Sequence, residues 1–315
     1  MTSLVDPAHY QRLADLLARG MVVPFLGAGV NACDRDNDPF VPSCNLPTGG
    51  ELAKLVAERC YYERPEHELA RVSQYLAVVE GPAALYDLLH DVFDHDYPPT
   101  SLHRLLAELP GRFRQAGNPR YQLIVTMNYD DTLEQAFADA GEPVDVVIYI
   151  ADGPDRGRFL HIDPEGEETV VEVPNKYDRL SPDERTVIVK IHGAVNRREA
   201  ERDSYVITED HYIDYLTRTD ISSLIPVRLA SRISRSHFLF LGYSLRDWNL
   251  RVILHRIWGE QKLKYKSWAI QLRPSDLDRE FWELRGVDVL DVPLDDYVGA
   301  LDAALDALLT ERAEV

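Results

Sequence analysis

The hydrophobic positions of this chain alternate between short apolar runs and stretches with helical spacing. The short runs predict strands at residues 21–26, 121–126, 144–150, 186–191, 237–241, 267–272 and 287–292. Helical patterns predict helices at residues 8–18, 132–140, 222–236, 248–258 and 295–309. Because the helix at 132–140 separates two predicted strands, it forms a β-α-β unit. The pattern therefore predicts an α/β fold with a doubly wound, mostly parallel sheet.

Two stretches interrupt this alternation of strands and helices. Residues 50–110 have helical spacing throughout, and we interpret them as three or four helices that form an inserted subdomain. Residues 151–185 are rich in Asp, Glu, Gly and Pro, which predicts a surface loop insertion or a small hairpin around residues 169–171. We therefore interpret residues 1–315 as a single domain with two insertions.

The composition restricts the partners and the compartment. With 34 Lys and Arg against 53 Asp and Glu, the net charge of −19 repels nucleic acid and anionic membranes at long range. No run resembles a signal peptide or approaches the roughly 18 apolar residues of a membrane span, so we expect a cytoplasmic protein. Cys33, Cys44 and Cys60 show no C-x-x-C spacing, which supports neither a disulfide framework nor a zinc site.

Polar clusters directly follow four of the predicted strands. They are Gly27-Ala28-Gly29, Thr126-Met127-Asn128-Tyr129-Asp130, Lys190-Ile191-His192-Gly193 and Gly242-Tyr243-Ser244. In an open parallel sheet, ligands bind outside the carboxyl ends of the strands. The pattern therefore predicts one crevice that binds a nucleotide, with side chains positioned for chemistry on its ribose.

The glycine turn fits G-x-G-x-x-A, in which glycine lets the backbone approach a pyrophosphate. A tight strand-exit turn explains the same residues equally well. Glu51, 24 residues after Gly27, has the position of the acidic residue that contacts a ribose in such motifs, but a loop containing Pro47 intervenes.

Asn128 and Asp130 allow a structural and a functional interpretation. Asp130 or Asp131 can cap the helix at 132–140, with Glu134 completing an Asp-x-x-Glu box. Asn128 lies at the end of the strand, where an amide can orient a sugar hydroxyl or a water by donating and accepting together.

His192 and the segment after Gly242 are similarly ambiguous. An imidazole at the mouth of the sheet is a ready proton acceptor at neutral pH, or else a hydrogen-bonded structural histidine. Ser244 and Asp247 have capping-box spacing, and Gly242 offers a second close backbone approach. His103 lies on an apolar helix and is interpreted as a packing residue, and Arg228, Arg232 and Arg235 as one solvated or interface face.

These motifs, together with Leu46-Pro47-Thr48 and in this order along residues 20–260, resemble the sirtuin superfamily. The resemblance is closest to its zinc-less bacterial branch. It implies a Rossmann-like sirtuin fold and an NAD+ glycohydrolase that cleaves the nicotinamide–ribose bond to give ADP-ribose, the toxic effector of an anti-phage abortive-infection system. The four zinc cysteines of the protein-deacylating members are missing, since residues 194–198 read Ala-Val-Asn-Arg-Arg.

The resemblance also implies roles for individual residues. Catalysis falls to His192 as general base and to Asn128 and Asp130 at the nicotinamide ribose. NAD+ binding falls to Gly27, Ala28, Gly29, Val30, Asn31, Thr126, Tyr129, Gly242, Ser244 and Asp247, with no metal.

Several alternatives remain open at this stage. An NAD+ or ADP-ribose sensor subunit would bind without turnover, a dehydrogenase would leave Asn128 and His192 unexplained, and a protein deacylase lacks its zinc cysteines. A toxic hydrolase must be silent in healthy cells. We therefore expect control by homo-oligomerisation or by a partner such as a HerA-type ATPase.

Overall fold

The computed structural model describes residues 5–35, 38–64, 68–217, 226–243 and 265–313. Among these residues, nine strands form one sheet in the order β11-β10-β9-β1-β2-β6-β3-β4-β5, and two short strands form a separate hairpin, β7-β8. The strands are β1 Val22–Leu26, β2 Leu123–Thr126, β3 Val144–Tyr149, β4 Phe159–Ile162, β5 Glu168–Val171, β6 Thr186–Lys190, β7 Gly193–Ala194, β8 Ser204–Tyr205, β9 His237–Leu241, β10 Ser267–Ile270 and β11 Val287–Leu290. Strands β11 through β3 pair in parallel, and β4 and β5 are antiparallel.

The strand order reverses next to β1. After β1 the chain places β2, β6 and β3 on one side of it, and then β9, β10 and β11 on the other side. A reversal of this kind creates a crevice at the carboxyl ends of the two central strands, β1 and β9. The structure thus confirms the predicted doubly wound α/β fold.

Helices cover both faces of the sheet. They are α1 Pro7–Ala18, α2 Gly49–Arg59, α3 Leu69–Val79, α4 Pro82–Phe93, α5 Ser101–Gln115, α6 Thr132–Asp139, α7 Glu209–Thr217, α8 Val227–Ile233, α9 Asp276–Glu283 and α10 Leu294–Ala313. Helices α1, α5, α6 and α10 share an apolar core with one face of the sheet, and α7, α8 and α9 share a core with the other. The central strands β1, β6 and β9 are buried along their whole length because both faces are covered.

Helices α2, α3 and α4 form a helical module with its own apolar core. Leu52, Val56, Leu76 and Leu89 pack together there, and Tyr205 of β8 closes the cluster. Helix α5 instead packs on the sheet core through its apolar side. The helical character predicted for residues 50–110 is present, and the division of the chain into a domain with two insertions stays a prediction.

The second interrupted stretch forms a β-hairpin. Strand β4 pairs antiparallel with β3, and β5 pairs antiparallel with β4, so residues 159–171 continue the sheet instead of looping over its surface. The predicted helix at 222–236 is observed as α8 from Val227, while residues 218–225 and the predicted helix at 248–258 lie outside the described residues. No helix in the described ranges is long and apolar enough to cross a membrane.

Candidate active site

Four strand ends carry the candidate residues, and they lie side by side. The register places Leu241, Leu26, Thr126 and Lys190 in one row across β9, β1, β2 and β6. Each of the four polar clusters begins at or directly after its residue in this row. Since neighbouring strands are about 4.8 Å apart, the clusters meet along one edge of the sheet.

The two glycine segments pack against each other. The Gly27 N–H donates to the Leu241 carbonyl (3.0 Å), and the Gly29 N–H donates to the Gly242 carbonyl (2.8 Å). Gly242 has φ +70°, and a Cβ atom there would lie 2.3 Å from the backbone nitrogen of Val30. The glycines are therefore required by this backbone contact, which is the strand-exit interpretation of the turn. Pyrophosphate binding by Gly27, Ala28, Gly29 and Val30 stays a prediction.

Asn31 joins the glycine turn to the loop that precedes α2. Its Nδ2 donates to the carbonyl of Pro47 (3.1 Å). Its Oδ1 is buried and has no hydrogen-bond partner among the residues that the structure describes. This acceptor is left available at the edge of the crevice.

Glu51 is committed to the start of α2. Its carboxylate accepts from the Thr48 N–H (2.8 Å) in a capping box and forms an ion pair with Arg35 (2.7 Å). Burial alone raises the pKa of Glu51, but the hydrogen bonds from Arg35 and Thr48 outweigh it and lower the pKa to about 2. The Glu51 carboxylate, which the motif would assign to the ribose, therefore already caps α2 and pairs with Arg35.

The loop after β2 carries Asn128 and Asp130. The Asn128 N–H donates to Thr126 Oγ1 (3.0 Å), and no described residue is hydrogen-bonded to its side-chain amide. Asp130 is 4% exposed, and its Oδ1 accepts from the Thr132 N–H (3.2 Å) at the start of α6. Its Oδ2 is buried without a partner among the described residues. Asp130 thus has the predicted capping contact and one oxygen left over.

Asp131 and Glu134 do not form the predicted capping box. Asp131 is the N-cap residue of α6 without a side-chain capping bond, and its carboxylate pairs instead with Arg197 (3.2 Å). Glu134 pairs with Lys190 (2.7 Å), the last residue of β6. The segments after β2 and β6 are therefore linked by side chains as well as by the sheet.

His192 lies in the turn after β6 and is 2% exposed. Its ring packs edge-on against Tyr212 (5.4 Å between centroids) and Tyr215 (6.0 Å), both on α7. Burial lowers the pKa of His192 to about 3, so the imidazole is neutral at physiological pH. Its Nε2 is buried and has no hydrogen-bond partner among the described residues. A neutral imidazole with an unpartnered nitrogen can form a hydrogen bond with a ligand.

Sequence reasoning missed the two tyrosines that hold the His192 ring. Their signal is the i, i+3 spacing of Tyr212 and Tyr215 on a short helix that follows Thr208. The Thr208 hydroxyl accepts from the His211 N–H (3.1 Å) and so caps the start of this helix.

Tyr129 and Thr126, which were also predicted to bind NAD+, make contacts that support the fold. The Tyr129 ring packs against Phe93 (5.6 Å) and Tyr205 (5.2 Å) of the helical-module core, and its hydroxyl donates to the Val206 carbonyl. Thr126 Oγ1 donates to the carbonyl of Leu26 (3.2 Å) and supports the loop. Ser244 and Asp247 lie outside the described residues. His103 is buried and accepts from the Thr100 N–H to cap α5, as its packing role predicts.

The described residues contain no group of three or more His, Cys, Asp or Glu side chains that could hold a metal ion. Cys33 and Cys60 are buried free thiols, and Cys44 is an exposed one.

A family model described as "SIR2-like domain" matches residues 122–290, which is more than half of the chain. The chain belongs to this family. The matched segment runs from β2 to β11 and contains the candidate residues Asn128, His192 and Gly242, while the glycine turn after β1 precedes it.

Three curated relatives are similar to this SIR2-like chain. "Defense-associated sirtuin 2" of Bacillus subtilis is 23% identical over 309 residues, covering 93% of this chain and 26% of that protein. "NAD(+) hydrolase ThsA" of Cytobacillus dafuensis is 26% identical over 243 residues, covering 68% and 41%. The protein of the same name from Enterococcus faecium is 25% identical over 249 residues, covering 78% and 42%. The chain thus spans less than half the length of each of these relatives.

Proposed function

We propose that this chain carries the active site of an NAD+ glycohydrolase, which cleaves the bond between nicotinamide and ribose to give nicotinamide and ADP-ribose. The observation that carries the proposal is the buried Nε2 of the neutral His192, which has no partner among the described residues and lies one strand away from Asn128, whose amide makes no hydrogen bond to a described residue. Buried polar atoms without partners are costly, and at the mouth of a crevice a bound ligand is one way to satisfy them. The names of the ThsA relatives support NAD+ as that ligand.

The strand row suggests how the dinucleotide lies. In this proposal the pyrophosphate sits over the Ala28–Val30 turn and the adenosine half lies on the Gly242 side. Ser244 and Asp247, which follow Gly242 in the chain, are proposed to bind it as well. The Gly27 and Gly29 N–H groups donate to Leu241 and Gly242, whereas the Ala28 N–H makes no backbone hydrogen bond to the described residues outside its own turn and is proposed as a donor to a phosphate. Asn31 contributes its free Oδ1 at the crevice edge, and Thr126 and Tyr129 act by holding the loop beneath the ribose.

The nicotinamide ribose then faces Asn128, Asp130 and His192. Departure of neutral nicotinamide leaves positive, oxocarbenium character on the ribose. The carboxylate of Asp130 stabilises this charge more in the transition state than in the ground state, where the positive charge is on the pyridinium ring. The Asn128 amide orients the attacking water, and His192 Nε2 accepts a hydrogen bond from a ribose hydroxyl or from that water.

The low pKa of His192 favours one alternative function. An imidazole with a pKa of about 3 is a weak base, which suits a sensor that binds NAD+ or ADP-ribose without turnover. Hydrolysis remains our first choice because departure of nicotinamide needs charge stabilisation more than a strong base. Binding of NAD+ without release of nicotinamide by purified, oligomeric protein would decide for the sensor.

We also propose an anti-phage role in which NAD+ depletion in the cytoplasm halts the infected cell. The relative named as a defence-associated sirtuin supports this role. Such a hydrolase needs a silent state, and we propose that homo-oligomerisation or a HerA-type ATPase partner controls it. A fully active lone monomer, measured by light scattering with concurrent assay, would contradict this control.

The test is incubation of the purified chain with NAD+ and chromatographic identification of the products. We expect nicotinamide and ADP-ribose in equal amounts, without added metal. A cyclic product would correct the water-attack step, and unchanged NAD+ with measurable binding would support the sensor.

A further inference from the structure

Lys190 is a charged residue at the end of a fully buried strand. It follows Val187, Ile188 and Val189 in β6 and is 1% exposed. By the alternation of side chains in a strand, Lys190 shares the face of Ile188, which packs in the same core as α6. An ammonium group in an apolar layer is costly, so its contacts identify what it does.

The Lys190 ammonium contacts two groups. It donates to Glu134 Oε1 (2.7 Å) in the first turn of α6 and to the backbone carbonyl of Asp130 in the loop that carries Asn128. Burial raises the pKa of Glu134, and the charge of Lys190 opposes that rise. The side chain therefore crosses from β6 to the candidate catalytic loop after β2.

Charge neutralisation alone does not explain this arrangement. A cation near the N-terminus of a helix is electrostatically unfavourable, and α6 begins beside Lys190. A buried ion pair can often be replaced by apolar side chains with no loss of stability. The contact that an apolar residue could not reproduce is the hydrogen bond to the Asp130 carbonyl.

That hydrogen bond acts together with two backbone hydrogen bonds between the segment around His192 and the loop around Asn128. The Ile191 N–H donates to the Thr126 carbonyl (3.0 Å), and the Val195 N–H donates to the Tyr129 carbonyl (3.0 Å). The Lys190 bond comes before His192 in the chain, and the Val195 bond comes after it. Together they fix the separation between the imidazole and the amide.

We propose that Lys190 is a positioning residue that holds the Asn128–Asp130 loop in register with His192. It acts through the Asp130 carbonyl and does not itself touch substrate. The consequence for turnover rests on the hydrolase function proposed above, whereas the effect on the loop does not. A misplacement of catalytic groups by about 1 Å can cost on the order of 100-fold in rate, so a single tether has a measurable effect.

The test compares two double variants with the wild-type chain. Lys190→Met alone leaves the partly buried Glu134 carboxylate unpaired, so the informative protein is Lys190→Met/Glu134→Leu, which removes both charges. The matched control is Arg114→Met/Glu142→Leu, which removes an ion pair at the opposite end of α6. Each protein is assayed for nicotinamide release and thermal unfolding, and in the ligand-free state for hydrogen–deuterium exchange.

We expect the Lys190→Met/Glu134→Leu protein to fold, and its kcat to fall by at least about tenfold with KM within about threefold. Amide exchange should accelerate in residues 127–132 and stay unchanged in β1, β2 and β6. The control pair should leave both kcat and exchange in this loop unchanged. A merely structural role for Lys190 would lower thermal stability without this local signature.

Two results would overturn the proposal. One is unchanged exchange in residues 127–132 of the folded double variant, and the other is a wild-type kcat despite faster exchange there. Absence of turnover in the wild-type chain contradicts the hydrolase function instead. In that case the exchange result still decides whether Lys190 holds the loop.

Discussion

The two halves of the strand row differ in how their polar groups are satisfied. At the ends of β9 and β1, the Gly27 N–H donates to the Leu241 carbonyl and the Gly29 N–H donates to the Gly242 carbonyl. At the ends of β2 and β6, Asp130 Oδ2 and His192 Nε2 are buried and have no partner among the described residues. The backbone groups of the first half thus satisfy each other, although the buried Asn31 Oδ1 beside them has no partner among the described residues, whereas the second half leaves a carboxylate oxygen and an imidazole nitrogen unsatisfied there.

The glycine turns therefore have a structural explanation, whereas the unpartnered atoms of Asp130 and His192 do not. The glycines are required because two backbones touch, and this requirement exists with or without a nucleotide. An unpartnered buried imidazole has no structural benefit that offsets its desolvation. Substitutions at the ends of β2 and β6 should therefore lower turnover, and substitutions at the ends of β9 and β1 should lower stability.

The largest expected effect is on turnover in the half with unpartnered groups. His192→Ala and Asn128→Ala should each lower NAD+ hydrolysis by about 100- to 10,000-fold, because each removes a group that acts in the transition state. Both variants should still fold, since neither side chain makes a hydrogen bond to a described residue, although His192→Ala also removes the ring packing against Tyr212 and Tyr215 and should lower thermal stability somewhat.

His161 supplies the matched comparison for His192. It is 2% exposed as well, but its two nitrogens contact Tyr177 Oη (2.6 Å) and Asp145 (3.0 Å). His161→Ala should therefore lower thermal stability while the folded fraction keeps its turnover. If the two histidine variants behaved alike, the distinction drawn between satisfied and unpartnered groups would be wrong.

The next largest effect is on the scaffold half. Gly242→Ala places a Cβ atom 2.3 Å from the Val30 nitrogen at φ +70°, so it should destabilise the fold by about 2 kcal/mol or more. Denaturant unfolding measures this loss, and NAD+ affinity should fall with it because the crevice is displaced.

Gly299 provides the control for that substitution. It lies within α10, and a Cβ atom there meets nothing within 4 Å. Gly299→Ala should stabilise the protein by about 0.5–1 kcal/mol through helix propensity alone. A Gly242→Ala protein as stable as the wild type would contradict the interlocked turns.

The sequence predicted the scaffold half better than the chemical half. The run before Gly27 and the β-α-β unit around 132–140 carry periodicities that survive in any tertiary context, so the α/β fold and its parallel sheet are confirmed. The contact between Gly27 and Gly242 joins positions far apart in the chain, and a pattern within one segment does not contain it. The two glycine turns are therefore recognisable from sequence, but their mutual packing is not.

The remaining differences have the same origin. Tertiary contacts redirect Glu134 to Lys190 and Glu51 to Arg35, away from the contacts that their spacing suggested. The hairpin β4-β5 joins the main sheet because β3 offers it an edge, which composition did not reveal. The single lysine in the apolar run before His192 was a visible sign of a buried polar contact.

The low pKa of His192 affects turnover and folding stability differently as the pH falls. Because the pKa of His192 is about 3, its imidazole stays neutral from pH 5 to 8, and kcat/KM should lack the acid limb near pH 6.5 that an ordinary histidine base produces. A pH–rate profile measures this directly. A clear limb at pH 6–7 would show that the imidazole titrates normally and is not buried as described.

Stability should depend on pH over the same range. The folded-state pKa values of His192, about 3, and His103, about 4, lie below the unfolded value of 6.5. The unfolded chain therefore takes up protons first, and the stability present above pH 6.5 is lost as the pH falls toward 4. Each histidine contributes on the order of 1 kcal/mol per pH unit, measured by denaturant unfolding across this range.

The smallest effect concerns Glu51. Glu51→Gln weakens the cap of α2 and the pair with Arg35, and should cost about 1 kcal/mol in stability. Its NAD+ affinity, measured by calorimetry, should stay within about twofold of wild type. A large loss of affinity without loss of stability would restore Glu51 as a ribose contact.

The most direct test is the crystal structure of the Asn128→Ala protein with NAD+, since the substitution should preserve the intact dinucleotide. We predict the pyrophosphate at the Ala28 N–H and a hydroxyl of the nicotinamide ribose within about 3.2 Å of His192 Nε2. A dinucleotide bound away from the ends of β1, β2 and β6, or one whose ribose is out of reach of His192, would contradict the proposed active site.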